Sequence, residues 1–261
     1  MAEPETETSD LSARAAEVAA ELTEEERPQE RGRAVSAFIS RAASSGARIA
    51  ASSARADGRG TRAVRRRASS GIDWLSDQAV EMAPRLRVRN RAALRAQFPG
   101  MSADDIADAL IERAARASAV AGGAGGMAAA LPVLTAFPLE LAAETLVLVG
   151  IEVKLIAELH EVYESPAPGK NLADRMRAYL AAWAHRRGVF MIEDGLIFAA
   201  GSPLARTLRR RLAARAGRSA FSLGPFLTGA TVGALFNRRE TRKLGRDIQR
   251  DLRRRALESR W

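Results

Sequence analysis

Apolar positions recur every three or four residues along most of the chain from about residue 72, the spacing of helices with one buried face. No segment shows the apolar–polar alternation of a half-buried strand, and no tandem repeat is present. The first apolar stripe predicts a helix that Pro84 ends or kinks. The next helix is predicted to start at Ser102, because Asp105 follows at the spacing of a capping box.

Prolines and glycines divide the rest of the chain. Pro138 is suited to the first position of a helix that is predicted to run to about Tyr163. A loop at residues 165–169 then precedes an amphipathic helix over residues 172–187. Residues 189–200 are apolar but interrupted by a Glu-Asp-Gly sequence.

Two basic helices are predicted near the carboxyl end. Ser202-Pro203 forms the N-cap and first position of one that extends to about Ala216. Gly224-Pro225 opens a last helix, which is apolar to Phe236 and basic from there on. The fold class predicted from these patterns is all-α: a compact helical bundle with glycine-packed apolar helices and a flexible amino-terminal tail.

Two charge-free stretches, residues 117–139 and 219–237, carry glycines at four-residue intervals. This spacing lets helix backbones approach closely, either in lipid or in the core of a soluble bundle. Prolines divide both stretches, so short packed helices or a re-entrant hairpin are favoured over simple membrane spans. The predicted helix-packing glycines are Gly122, Gly126, Gly229 and Gly233.

Charge is segregated along the chain. Residues 1–30 hold ten acids against two arginines, and residues 31–67 hold ten arginines against one aspartate. Such blocks are typical of solvated segments, so residues 1–65 are expected to form a disordered or loosely helical tail, with a short helix from Ser9 or Asp10 to about Glu26. Residues 66–261 are expected to form the helical domain.

The net charge of +10 favours an anionic partner. We expect lipid headgroups at a cytoplasmic membrane face, because basic segments adjoin apolar ones. Nucleic acid is disfavoured, since these segments lack aromatic residues for base stacking. A solvated arginine-rich surface remains the simpler explanation. The predicted contacts with the anionic surface are Arg209, Arg210, Arg211, Arg238, Arg239 and Arg242.

Catalytic chemistry is sparse. The chain has no cysteine, and no nucleophile, phosphate-loop or dinucleotide motif is present. His160 lies among glutamates, but we interpret it as a surface histidine in an acidic stripe and not as a metal ligand. No catalytic, cofactor-binding or metal-binding residue is therefore predicted. The alternative, a soluble enzyme, would be favoured by paired ionisable residues on facing helices, for instance around His160 or Glu193.

Residues 100–256 are similar to the EcsC family. The similarity rests on the helix 105–116, the glycines at 122–126, the segment starting at Pro138, and the run from Thr228 to Gly245. The family-motif positions are Pro138, Asn237, Thr241, Leu244 and Gly245. One departure is that a glutamate follows Tyr163, where the family pattern leads us to expect glycine.

The resemblance implies an α-helical, membrane-associated bacterial protein and brings no reaction or ligand. Combined with the charge pattern, it leads us to expect a non-enzymatic protein at the cytoplasmic face of the membrane. An accessory role to a transporter or in an envelope process follows only by analogy, with an integral membrane protein as partner. A soluble cytoplasmic protein is the alternative location.

Overall fold

Two long antiparallel helices form the centre of the fold. The computed structural model describes residues 4–24, 33–35, 37–39, 75, 77–128, 137–187, 189–192, 195–198 and 226–258. The central pair is α3 (Ala103–Ala128) and α6 (Phe226–Glu258). Further helices are α1 (Pro4–Glu24), α2 (Arg91–Gln97), α4 (Phe137–Val162) and α5 (Leu172–Arg187), with a 3₁₀ turn at Ala83–Arg85. Residues 33–35, 37–39, 75 and 77–82 are helical as well.

The described helices confirm the all-α fold class. The helix ending at residue 82 stops where Pro84 forbids continuation, and α3 starts at the predicted cap. There the Ser102 hydroxyl accepts from the Asp105 N–H at 3.2 Å, and the Asp105 carboxylate accepts from the Ser102 N–H at 3.3 Å. Pro138 lies in the first turn of α4, and residues 165–169 form the predicted loop. Pro132 and the predicted basic helix at residues 202–216 lie outside the described residues.

Helix α1 contains the short amino-terminal helix that was predicted to end near Glu26, but it begins at Pro4 and is packed against the rest of the domain. Its apolar residues at successive turns are fully or nearly buried: Leu11, Ala15, Val18, Ala19 and Leu22. The backbone of α4 comes close to it at Gly150, where an added Cβ would lie 2.9 Å from Ala19 Cβ. The acidic composition of this segment concealed a one-sided apolar stripe, which is sufficient for packing.

A short β-hairpin corrects the prediction that no strand is present. Strands β1 (Val189–Ile192) and β2 (Gly195–Phe198) pair antiparallel, with Val189 opposite Phe198 and Ile192 opposite Gly195. Both strands are apolar at nearly every position, so period-two alternation could not reveal them. In the sequence, Asp194-Gly195 is a dipeptide favoured in tight hairpins.

Close approach of α3 and α6 depends on small residues. An added Cβ at Gly122 would lie 3.0 Å from the Gly233 carbonyl oxygen and 2.5 Å from Asn237 Nδ2. At Gly245 it would lie 2.7 Å from Ile111 Cγ1. A side chain at Gly122 would therefore collide with the backbone of α6 at Gly233. Gly126 and Gly229 lie on the same helices, but their side-chain surroundings are outside the described residues.

Candidate functional site

Helix α6 presents a row of cations to solvent. At 3.6 residues per turn, spacings of three and four keep side chains on one face. We call the following exposed residues the basic face: Arg239, Lys243, Arg246, Arg250, Arg253 and Arg254. Their positions extend about 22 Å along the helix at roughly 1.5 Å per residue.

A carboxylate row on α3 fixes how α6 is oriented. Asp104, Asp108 and Glu112 stand on successive turns of α3 and face the last helix. Glu112 accepts two hydrogen bonds from Arg242, at 2.5 and 2.7 Å. Because Arg242 donates these bonds, the pKa of the Glu112 carboxyl is lowered despite partial burial. Asp104 lies 3.2 Å from the Arg253 guanidinium, so the row engages α6 over much of its length.

The predicted surface arginines divide into two groups. Arg242 binds Glu112 as a bidentate pair, and Arg238 lies 3.8 Å from the same carboxylate. These two side chains are engaged within the protein, and their contact with lipid headgroups stays a prediction. Arg239 is exposed, and no described carboxylate lies within 4.0 Å of it or of Lys243. Arg209, Arg210 and Arg211 lie outside the described residues.

Large apolar side chains flank the basic face. Leu235 and Phe236 are 66% and 42% exposed, and Leu257 is 61% exposed. Leu235 stands four residues before Arg239, and Leu257 stands four residues after Arg253. Apolar side chains therefore stand at both ends of the cation row on the exposed side of α6, where they and the cations can contact the same surface.

The family-motif residues of α6 point inward. Asn237, Thr241 and Leu244 are buried, and Gly245 contacts Ile111 closely. The Thr241 hydroxyl lies 2.9 Å from Ser118 Oγ, and it donates to Glu152 at 2.7 Å. This motif therefore serves packing and internal hydrogen bonding among the described residues.

Glu152 is the centre of a buried polar cluster that the sequence analysis did not predict. Its carboxylate is 1% exposed and accepts hydrogen bonds from Trp183 Nε1 at 2.7 Å and Arg187 Nε at 3.0 Å. Arg187 also contacts Glu240 at 3.2 Å. Burial lowers the pKa of Arg187, but the two carboxylates outweigh it, so the pKa is raised and the guanidinium stays charged.

A second buried cluster surrounds Lys154. The lysine is completely buried, and its Nζ lies 2.7 Å from Glu158 and 3.1 Å from Glu24. Arg89 donates two further hydrogen bonds to Glu158, at 2.8 and 2.6 Å. Burial raises the pKa of Glu158, yet Arg89 and Lys154 outweigh it and lower the pKa overall. The i,i+4 spacing of Lys154 and Glu158 was visible in the sequence, but their distant partners were not.

These clusters satisfy one condition of the enzyme alternative, since ionisable groups do meet across helices. However, the best-defined cavities among the described residues each have room for about one water molecule. Small-molecule sites usually enclose about 300–1,000 Å³. In the same part of the chain, no group of three or more residues is placed to hold a metal ion. The described clusters are therefore buried networks of paired charges.

His160 is not the surface histidine that the sequence analysis predicted. It is partly buried, its ring lies 5.0 Å from that of Tyr179, and Nδ1 contacts the Ser165 carbonyl oxygen. Burial lowers its pKa below the ordinary histidine value, and nearby arginines act in the same direction. His160 therefore helps to terminate α4. Glu193 lies outside the described residues.

Glu164, which follows Tyr163 at the end of α4, has a backbone conformation that favours glycine. Ser165 N–H donates to the His160 carbonyl at 3.0 Å and Glu164 N–H to the Glu161 carbonyl at 3.3 Å, the two bonds of a Schellman cap. Glu164 has a φ of 55°, in the left-handed region that glycine adopts most easily. The side chain of Glu164 reaches Arg91 at 2.5 Å.

Comparison with known proteins adds no family or relative to this geometry. No protein-family model, curated protein or solved structure matches the chain. Within the residues that the structure describes, none of the helices combines the length and apolarity required to cross a bilayer.

Proposed function

We propose that this chain is a non-enzymatic, membrane-associated helical protein that binds an anionic bilayer surface through the basic face of α6. The cytoplasmic face of the cell membrane is the proposed location. The observation that carries the proposal is the row of six exposed cations on one helix face with exposed leucine and phenylalanine beside it. The EcsC resemblance supports the same reading and adds, by analogy, an integral membrane protein as a second partner.

The energetics favour a surface contact of this kind. Each cation near an anionic membrane surface contributes about 1 kcal/mol, and this contribution falls off within a Debye length of about 8 Å at physiological salt. The cations of the basic face share one side of α6, so several of them can lie within that distance together, and those nearest the surface contribute most. The carboxylates of α3 do not cancel this attraction at Arg239 and Lys243, which have no described acidic partner.

Vesicle sedimentation tests the proposal. The full chain should sediment with vesicles of phosphatidylglycerol and phosphatidylcholine in equal parts, but not with phosphatidylcholine alone, and added salt should release it. The variant Lys243→Glu/Arg250→Glu should bind at least about tenfold more weakly, because each reversal removes one attraction and adds one repulsion. Both side chains are exposed, so the fold should tolerate the change.

The matched control is Arg95→Glu/Arg177→Glu. It makes the same change in net charge at exposed positions on α2 and α5. Binding lost equally in both double variants would show that net charge, not the basic face, drives association. Failure of the wild-type chain to sediment with anionic vesicles would refute the proposal, and tight binding to duplex DNA instead would assign the face to nucleic acid.

A further inference from the structure

The cations of the basic face differ in how strongly the protein already holds them. Towards the carboxyl end, Arg253 and Arg254 each have a carboxylate at 3.2 Å, from Asp104 and Asp251 respectively. Arg250 is paired with Asp247, and Arg246 lies 4.0 Å from Asp108. A lipid phosphate must compete with these carboxylates before it gains the full attraction of the cation.

The amino-terminal end of the face offers its charge without competition from the described carboxylates. Arg239 and Lys243 stand one turn apart, and no described carboxylate lies within 4.0 Å of either. Adjacent turns place their side chains about 5–6 Å apart at Cβ, on one side of the helix. Phosphate groups of neighbouring lipids can be bound there by two cations at once.

The exposed apolar side chains are also concentrated at this end. Leu235 and Phe236 are consecutive, and residues 226–237 of α6 contain no charged side chain. Entry of this end into lipid therefore brings no charge of α6 out of water. Leu257, at the other end, follows three consecutive arginines and precedes Glu258, so its entry would carry charge with it.

Resting on the proposed function, we infer that α6 docks tilted, with its amino-terminal end leading. Leu235 and Phe236 enter the lipid at the level of the headgroup–acyl boundary, while Arg239 and Lys243 bind lipid phosphates just above them. The ion-paired carboxyl-terminal cations stay further from the surface. The ligand class is anionic phospholipid, because nucleic acid offers no apolar layer for the two side chains.

Site-specific fluorescence tests the inference. Because the chain contains no cysteine, a single introduced cysteine is the one thiol that takes the label. Phe236→Cys and Leu257→Cys, each carrying an environment-sensitive nitrobenzoxadiazole label, would be mixed with the equal-parts phosphatidylglycerol–phosphatidylcholine vesicles. Emission at position 236 should rise about twofold or more and be quenched by lipids with a shallow spin label, as expected for interfacial burial. The label at position 257 should change little.

A second pair of variants gives an independent readout of affinity. Leu235→Ser/Phe236→Ser should weaken vesicle binding about tenfold, since it removes apolar surface that enters lipid, whereas Leu257→Ser should leave binding nearly unchanged. All three side chains are exposed, so loss of folding does not confound the comparison. Equal emission changes at both labels, or a larger change at 257, would overturn the tilted docking while leaving surface binding intact. Absence of any sedimentation would overturn both proposals together.

Discussion

Adjacent glycines on α3 provide a matched test of close helix packing. At Gly122 an added Cβ would lie 3.0 Å from the backbone oxygen of Gly233 and 2.5 Å from Asn237 Nδ2. At Gly123 its nearest neighbour would be Ala234 Cβ at 3.9 Å, an ordinary van der Waals contact. The same substitution by alanine should therefore have opposite effects at neighbouring positions of one helix.

The magnitudes follow from two opposing contributions. Alanine is favoured over glycine within a helix by about 0.5–1 kcal/mol, and this gain applies at both positions. Overpacking costs typically about 1–3 kcal/mol, and it applies at Gly122 because the carbonyl of Gly233 belongs to the backbone and the Asn237 side chain is buried. Gly123→Ala should thus stabilise by up to about 1 kcal/mol, and Gly122→Ala should destabilise by about 1–2 kcal/mol.

Urea denaturation followed by circular dichroism would measure both variants against the wild-type chain. Equal stabilisation by the two substitutions would refute the reasoning, because it would mean that α3 and α6 do not approach closely at Gly122. Equal destabilisation would instead mean that the contact extends to Gly123.

Three further outcomes concern buried charge and the end of α4. Arg187→Met should lower the free energy of unfolding by about 3 kcal/mol, because the Glu152 carboxylate stays buried without its cation. The double variant Glu152→Gln/Arg187→Met should lose less of this free energy in the same urea titration. Equal losses in the two variants would contradict this account. Glu164→Gly should raise the free energy of unfolding by about 0.5–1 kcal/mol, because glycine adopts the left-handed backbone conformation without strain. Arg91→Gln is the control, since it removes the same exposed ion pair without changing the residue at position 164. A melting temperature of Glu164→Gly below that of the control would contradict the prediction. Because the pKa of His160 is lowered on folding, the unfolded chain binds the proton more readily, so the contribution of His160 to stability should be full above the ordinary pKa of 6.5 and should fall as the pH drops below it. Unfolding titrations at several pH values should show a shallower fall in stability for His160→Gln. Identical slopes in the variant and the wild-type chain would exclude His160 as the origin of the pH dependence.

Local patterns predicted the helical elements well because their causes are local. The cap at Ser102, the stop before Pro84 and the helix over residues 172–187 each depend on residues within one or two turns. Composition was a weaker guide, since the acidic blocks of the first 30 residues suggested a tail where α1 has a buried stripe. The hairpin at residues 189–198 was missed because its strands are uniformly apolar.

Buried charge could not be predicted, because it depends on partners that are distant in sequence. Periodicity along α4 alone made its glutamates look like a solvated stripe. Glu158 is buried with Arg89, 69 residues earlier, and Glu152 with Arg187, 35 residues later. Without such a partner, burial of a carboxylate would be strongly unfavourable, so the sequence of one helix favours the exposed interpretation.

The cations of α6 are not equivalent, although the sequence presents them as one basic run. Arg238 and Arg242 contact Glu112 of α3, whereas no described carboxylate lies within 4.0 Å of Arg239 or Lys243. Net charge therefore overstates the attraction available to an anionic surface, because some of the cations already form ion pairs that hold α6 against α3. What remains is local, and it lies where the charge-free part of α6 ends. One helical register thus explains both the close contact of α6 with α3 at Gly122 and the exposure of Arg239 and Lys243.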